Sequence, residues 1–420
     1  MVRKIRSRTF RAKRNADMAN SIDILDYLES KMFEERDYKH INKQKNKENI
    51  VLKIPKVFSL ITNIDESLKF LKALITLRYN RTFKKVILDF SICDDISMCA
   101  LFLFDYIFLL LTEEARINKR SGYHLSYKKS DQKEINTLFY KMGLQLLIDF
   151  DEDRLSEKLN NNDLKTKQLR TIIGSKSENK VIEKLLKSGK VVSIITSSTE
   201  IVDFFNDCLK MKGYMLSDDG KREFLKMVGE WRTNCEEHLE SVCEYFCTGH
   251  FRDSDNSSGV GNLVFLNLGE TIYEGLKLSP NTSDLMLEKL KRLSLKHTFN
   301  KKYDEESLWT LAAIQHKVSR FYNKEIERGR GITHMLKNFD NLSADDKVSG
   351  MAIISGNTQI LFDKEAFLRY NKEGKIAFNE ENSLESVPDS KYVRKIKSFY
   401  PGTLISIRFV LQKNYLEKLV

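Results

Sequence analysis

The feature that most restricts what this chain can fold into is an apolar run over residues 98–112, broken only by Asp105. It is shorter than the roughly 20 residues a bilayer-spanning helix needs. A helix apolar on all sides and too short to span has to be buried in protein, so the run is read as a core helix over about 96–111. Its surroundings supply covering layers. Residues 51–60 read as a strand region, 64–77 as an amphipathic helix, 86–90 as a buried strand, 123–127 as a strand, and 132–142 as a helix closed by Gly143. Strands separated by helices of this length make an α/β layer.

A length of 420 residues exceeds one ordinary core. With only 4 prolines and 18 glycines, long disordered linkers are not expected. The expected division is a polar, basic lead-in over 1–48 with a helix near 22–35, an α/β domain over 49–148, a charged linker over 149–185 containing Asn160-Asn161-Asn162, and a second domain over 186–420. In this second domain, 191–196 reads as a strand, and 200–211 and 221–239 read as helices. The expected fold class is α/β (α+β sandwich).

The net charge of +11 invites a nucleic-acid reading. Seven of the first fourteen residues are Lys or Arg, however, and the remaining excess is scattered among acidic residues. A solvated end is the plainer reading of that tail, with nucleic acid or an acidic partner as the alternative. The N-terminus has basic residues but no apolar segment behind them, so no secretory signal and no membrane association are expected. Six cysteines in a chain of this length do not make a dense disulfide framework, and a reducing, cytoplasmic setting is expected.

The segment Val86-Ile-Leu-Asp-Phe-Ser, with a helix starting near Ser97, resembles the STAS-like family of small regulatory α/β domains. That resemblance implies a phosphoacceptor hydroxyl at the helix start, with Ser97 as the nearest match. Read from the residues alone, Ser97 caps the helix.

In the second domain, Glu230, Asn234 and His238 recur at four-residue spacing and so share one helical stripe. A carboxylate, an amide and an imidazole in line are costly on a face that would otherwise pack into a core. This stripe resembles the N box of GHKL (histidine-kinase-like, Bergerat-fold) ATP-binding proteins. The resemblance implies that Glu230 orients or deprotonates the attacking group and that Asn234 ligates the magnesium ion between the phosphates.

Three further segments follow in the same order as in that family. Val260-Gly-Asn-Leu-Val-Phe-Leu-Asn267-Leu-Gly269-Glu-Thr-Ile272 resembles the G1 box, which implies adenine contacts at Asn267, Gly269 and Ile272. Asn267 stands where the family has Asp. Arg328-Gly329-Arg330-Gly331-Ile332 resembles the G2 box, which implies backbone N–H groups holding phosphate oxygens at a helix start. Arg328 and Arg330 would add cations there, or they are solvated loop charges. Residues 351–357 and 358–362 read as a strand-turn-strand hairpin. Pro401-Gly402-Thr403 reads as a glycine turn into an alternating strand, and resembles the last box, with Thr403 near the phosphates. Between 272 and 328, helices near 284–295 and 305–325 occupy the position of the family's nucleotide lid.

Cys235, Cys243, Cys247 and His250 lack paired short-loop zinc spacing, and Cys243, Tyr245 and Cys247 alternate as a strand face does, so the cysteines read as buried thiols. No GxxxxGK[ST] loop occurs. His238 reads as a hydrogen-bonded helix residue, and no dimerisation helix with an exposed His precedes the module. The resemblance thus implies an ATP- and Mg2+-binding regulator, an ATPase or anti-sigma-type serine/threonine protein kinase, acting on a protein effector or regulator. A homodimer is left open. The alternative is a non-catalytic interaction scaffold on a degenerate GHKL fold.

Overall fold

A computed structural model gives the fold. It describes residues 24–34, 37, 49–79, 85–117, 124–132, 135–136, 166–175, 180–189, 191–238, 244–253, 259–278, 282–297, 303–315, 331–344, 348–363, 365–366 and 376–419. The basic tail and most of the expected 132–142 helix lie outside these residues.

The apolar run forms helix α3 (Met98–Ile117), preceded by α1 (Ile24–Met32) and α2 (Ile64–Ile75). Strands β1 (Asn49–Lys53), β3 (Lys85–Asp89) and β5 (His124–Lys128) make a three-stranded parallel sheet in the order β1-β3-β5. The residues expected as one strand region over 51–60 divide between β1 and β2 (Val57–Phe58), which pairs with β4 (Asp95–Ile96). Alternating burial along β1 and β3 puts Ile50, Leu52, Val86 and Leu88 into the core, as period-2 side chains on a one-sided sheet require. Among the described residues no helix is long and apolar enough to cross a membrane.

The C-terminal half is built on a six-stranded mixed sheet, ordered β11-β12-β10-β9-β6-β7. Its strands are β6 (Thr166–Ser175), β7 (Val192–Ser193), β9 (Glu244–Arg252), β10 (Val260–Leu268), β11 (Gly350–Asp363) and β12 (Val393–Phe409). A short pair, β8 (Tyr214–Leu216) with β13 (Leu416–Lys418), lies apart from it. The helices are α4 (Lys180–Lys187), α5 (Ser197–Lys210), α6 (Asp218–His238), α7 (Ile272–Leu278), α8 (Asp284–Lys296), α9 (Glu305–Ala313) and α10 (Gly331–Leu342).

Both faces of this sheet are covered, which is why burial along β9 and β10 is nearly continuous. One face sends Leu263, Phe265, Tyr245, Cys247, Ile405 and Ile407 into a core shared with α5, α6 and α10. The opposite face, with Phe246, Val264, Leu266, Leu268 and Leu404, shares its core with α1, α2 and α3. On that side Phe102 and Tyr106 of α3 pack on Phe246 at ring distances of 5.1 and 4.7 Å. The Tyr106 hydroxyl donates to the buried Glu244 carboxylate. Asp65 at the start of α2 accepts the backbone N–H groups of Lys397 and Ser398, both at 2.9 Å.

Four expectations differ from this arrangement. Part of the stretch read as a linker is β6, paired with β9 inside the sheet. The expected hairpin over 351–362 is one continuous strand, β11, because β12 pairs with it from Gly350 to Ile360 and Gly356 (φ 57°) takes up a register shift without reversing the chain. Pro401-Gly402 is likewise a bulge inside β12, not a turn before it. The expected strand over 191–196 is two residues of β7 followed by a single-turn helix.

Candidate functional site

The direction of α6 across the sheet decides where Glu230 and Asn234 lie. Phe224 packs between Phe205 of α5 (5.0 Å) and Phe409 (5.6 Å), and Phe409 is the cross-strand partner of Gly261 at the start of β10. Trp231 packs on Phe265 (4.9 Å) and edge-on to Tyr245 (6.4 Å). The helix therefore advances along β10 towards Asn267, whose partner on β9 is Tyr245. Seven helical residues span about 10 Å and four strand residues about 13 Å, so the two elements keep pace. Glu230 and Asn234, both half-buried, stand in the turns that reach the Asn267 end of the sheet.

Helix α10 reaches the same end by running the other way. Its C-terminal part is fixed near the start of α6, where Asn341 Nδ2 donates to Glu223 Oε2 at 3.4 Å, and Ser343 bridges to Leu411 just beyond β12. Ten residues earlier than Asn341 is Gly331, and ten residues later than Glu223 is Thr233, so α10 starts roughly level with Asn234. Gly331 and Ile332 are the first two residues of α10. Arg328, Gly329 and Arg330 lie outside the described residues, as do the side chains of Ile332 and His238.

At this end β10 and β12 come unusually close. Asn267 pairs with Thr403 and Leu268 with Gly402. A Cβ on Gly402 would stand 2.1 Å from the Asn267 carbonyl oxygen, and its φ of 143° disfavours any other residue. The register of β11 against β12 jumps from Ser355–Thr403 to Gly356–Tyr400, so Pro401 and Gly402 are the extra residues of a bulge. Proline's missing N–H does no harm there. Bulges re-aim neighbouring side chains, and this one lies beside a polar cluster. The Asn267 side-chain oxygen accepts the Thr403 N–H at 2.6 Å. Thr403 Oγ1 and Ser355 Oγ lie 2.9 Å apart, Ser355 Oγ donates to the Gly402 carbonyl at 3.2 Å, and Ile272 N donates to Ser355 Oγ at 2.8 Å.

The predicted residues Asn267, Gly269, Ile272 and Thr403 are therefore brought together, with Ser355 joining them. Ser355 was missed by sequence reasoning, although it directly follows the apolar stretch Met351-Ala-Ile-Ile within the buried run 351–356. Gly269 donates its N–H to the Pro401 carbonyl at 3.3 Å. Thr271 and Glu274 form a capping box at the start of α7, with Glu274 N to Thr271 Oγ1 and Thr271 N to Glu274 Oε2 both at 3.1 Å.

Asn234 and Glu230 offer hard oxygen donors, the type magnesium takes when water and phosphate fill most of its shell. Among the described residues no group of three or more His, Cys, Asp or Glu side chains is gathered to hold a metal ion, so such an ion would rest on these two side chains, water and phosphate. The insert after α7 is partly fixed: α9 buries Leu308, Trp309 and Leu311, and Glu306 Oε1 accepts the Asn357 N–H of β11 at 2.7 Å. Burial raises the Glu306 pKa.

Ser97 caps α3, accepting the N–H groups of Ala100 (3.4 Å) and Leu60 (3.3 Å), with Cys99 Sγ 3.2 Å away. Cys247 and His250 occupy opposite faces of β9: Cys247 belongs to the α6 side of the core, and His250 Nδ1 lies 3.3 Å from Met98 Sδ of α3. Burial pushes the Cys247 thiol well above its ordinary pKa. Comparisons with family models, with curated proteins and with solved structures find no match to this chain.

Proposed function

We propose that the C-terminal half binds ATP with Mg2+ in the GHKL manner, and that the protein signals through a nucleotide-gated contact with a protein partner. The observation that supports this reading is convergence. Four elements distant in sequence run to one end of one sheet: α6, packed on Phe265 through Trp231, the start of α10, by its course away from the Asn341–Glu223 contact, the β10 end at Asn267 and Gly269, and the β12 bulge at Gly402 and Thr403. Each carries the residue types that the family resemblance assigns to the nucleotide.

In this reading Asn267 and Gly269 border the adenine. The first N–H groups of α10, with its dipole, hold phosphate oxygens. The Asn234 amide oxygen holds magnesium, and Glu230 orients a water or a protein hydroxyl. Magnesium, when bound, neutralises charge on the phosphate oxygens. Such a site serves an ATPase or a serine/threonine protein kinase.

The Asn267–Thr403 hydrogen bond favours a second reading, a non-catalytic interaction scaffold. It occupies the side-chain oxygen that would otherwise accept from adenine, and leaves one lone pair on a neutral amide. Titration of the purified chain with ATP, with and without Mg2+, together with turnover of labelled ATP by wild type and Glu230→Ala, separates the readings. Magnesium-dependent binding with turnover that disappears in Glu230→Ala supports an enzyme. Binding without turnover leaves the scaffold reading, and absence of binding removes the nucleotide.

A further inference from the structure

Helix α1 reaches the candidate site from the N-terminal side of the molecule. Ile24, Leu25, Leu28 and Met32 bury it in the core. Arg78 anchors it by pairing with Asp26, Glu29 and Glu114 of α3, each at 2.9 Å, and the Tyr79 hydroxyl also donates to Glu29. Arg78 and Glu29 are 7% and 2% exposed at their side chains, so this anchor is held away from solvent. A helix tied in this way is a rigid post.

Two side chains one helical turn apart, Tyr27 and Lys31, project from this post onto the turn that follows β10. The Tyr27 hydroxyl donates to the Gly269 carbonyl, two residues after Asn267. The Lys31 ammonium pairs with Glu274, the acid of the capping box that starts α7. The side chains of this ion pair are 29% and 17% exposed, so solvent screens it less than a surface pair. The two contacts grip the beginning and the far side of the same short turn.

We propose that Tyr27 and Lys31 are positioning residues for the nucleotide site: they hold the 269–274 turn, and through it Asn267 and the start of α7, in the shape that admits the ligand. The ligand half of this inference rests on the ATP reading above; the mechanical half does not. Without Tyr27 the Gly269 carbonyl faces no fixed donor from α1. Without Lys31 the Glu274 carboxylate swings free of its cation and the capping box opens more readily.

The test uses the full chain carrying Tyr27→Phe, Lys31→Gln, both together, and Lys31→Arg as the conservative control. Thermal unfolding verifies that each variant folds. Hydrogen exchange is followed at the amides of Thr271, Ile272, Glu274 and Gly275, all hydrogen-bonded in this turn. Affinity for ATP with Mg2+ is titrated in parallel. The expected result for the double variant is a near-native melting temperature, exchange at these amides faster by about tenfold, as for loss of one hydrogen bond, and weaker ATP binding, with Lys31→Arg close to wild type. Native-like exchange in the double variant would overturn the inference, and so would faster exchange with unchanged affinity. Failure of the ATP reading is distinguishable, because it appears as absence of binding by the wild type, while the exchange comparison still decides whether α1 holds the turn.

Discussion

Asn267 and Thr403 face each other across β10 and β12, and the side-chain oxygen of the first accepts the main-chain N–H of the second at 2.6 Å. The bond stitches the two strands together where the Pro401-Gly402 bulge interrupts regular pairing. Asn267→Ala leaves that N–H without its acceptor and should cost about 1–2 kcal/mol in denaturant unfolding. Asn267→Asp keeps an acceptor and adds a charge, so it should fold normally and bind ATP more tightly, by up to about tenfold. Weaker ATP binding by the Asp variant would argue against adenine at this position.

Gly402→Ala puts a methyl group against the Asn267 carbonyl in a backbone conformation that alanine resists. The obstacle is main chain, Asn267 and Gly269, and cannot swing away. A loss of about 3 kcal/mol or more is expected, measured as a lowered denaturation midpoint.

Arg78 neutralises three carboxylates, of which the Glu29 side chain is 2% exposed and that of Glu114 13%. Arg78→Ala should therefore destabilise the chain by about 3–5 kcal/mol, the usual result of taking the cation away from a buried carboxylate. Asp26→Asn, at a side chain 43% exposed, should cost below about 1 kcal/mol. Equal costs for the two variants in urea unfolding would contradict this ranking.

His250 packs against Met98 and Asn262, with Arg408 and Arg252 near by. Burial first, then the two guanidinium groups, lower its pKa from 6.5 to about 4. The unfolded chain thus binds a proton that the folded chain refuses. This contribution to stability is full above pH 6.5 and falls as the pH drops towards 4, with a slope approaching ~1.4 kcal/mol per pH unit. Comparing unfolding of wild type and His250→Gln across that window should show a shallower acid loss in the variant; parallel curves would refute the assignment.

What could be read from the sequence follows how local the determining physics is. The buried run that became α3 and the stripe through Glu230 and Asn234 depend on spacing within a few turns, and both fell on helices. Strand β6 was hidden because its alternation is broken: Leu169, Ile172 and Ile173 are all buried, with a register shift between the first two, while Lys167 and Arg170 are exposed. Gly356-Asn357 looked like a reversal because glycine's positive φ serves a bulge as well as a turn, and only the length of the partner strand distinguishes them. Ser355 and Tyr27 acquire their meaning from partners far along the chain, 83 residues for Ser355 with Ile272 and 242 for Tyr27 with Gly269, and no local pattern encodes such a contact.

The large sheet has no bare side: Phe246, Val264, Leu266, Leu268 and Leu404 lean on the helices of the first hundred or so residues. Cutting the chain between its two α/β layers would wet that whole surface, so neither piece is a natural unit for expression. In a calorimeter the intact protein should melt as one cooperative peak, both halves giving way together.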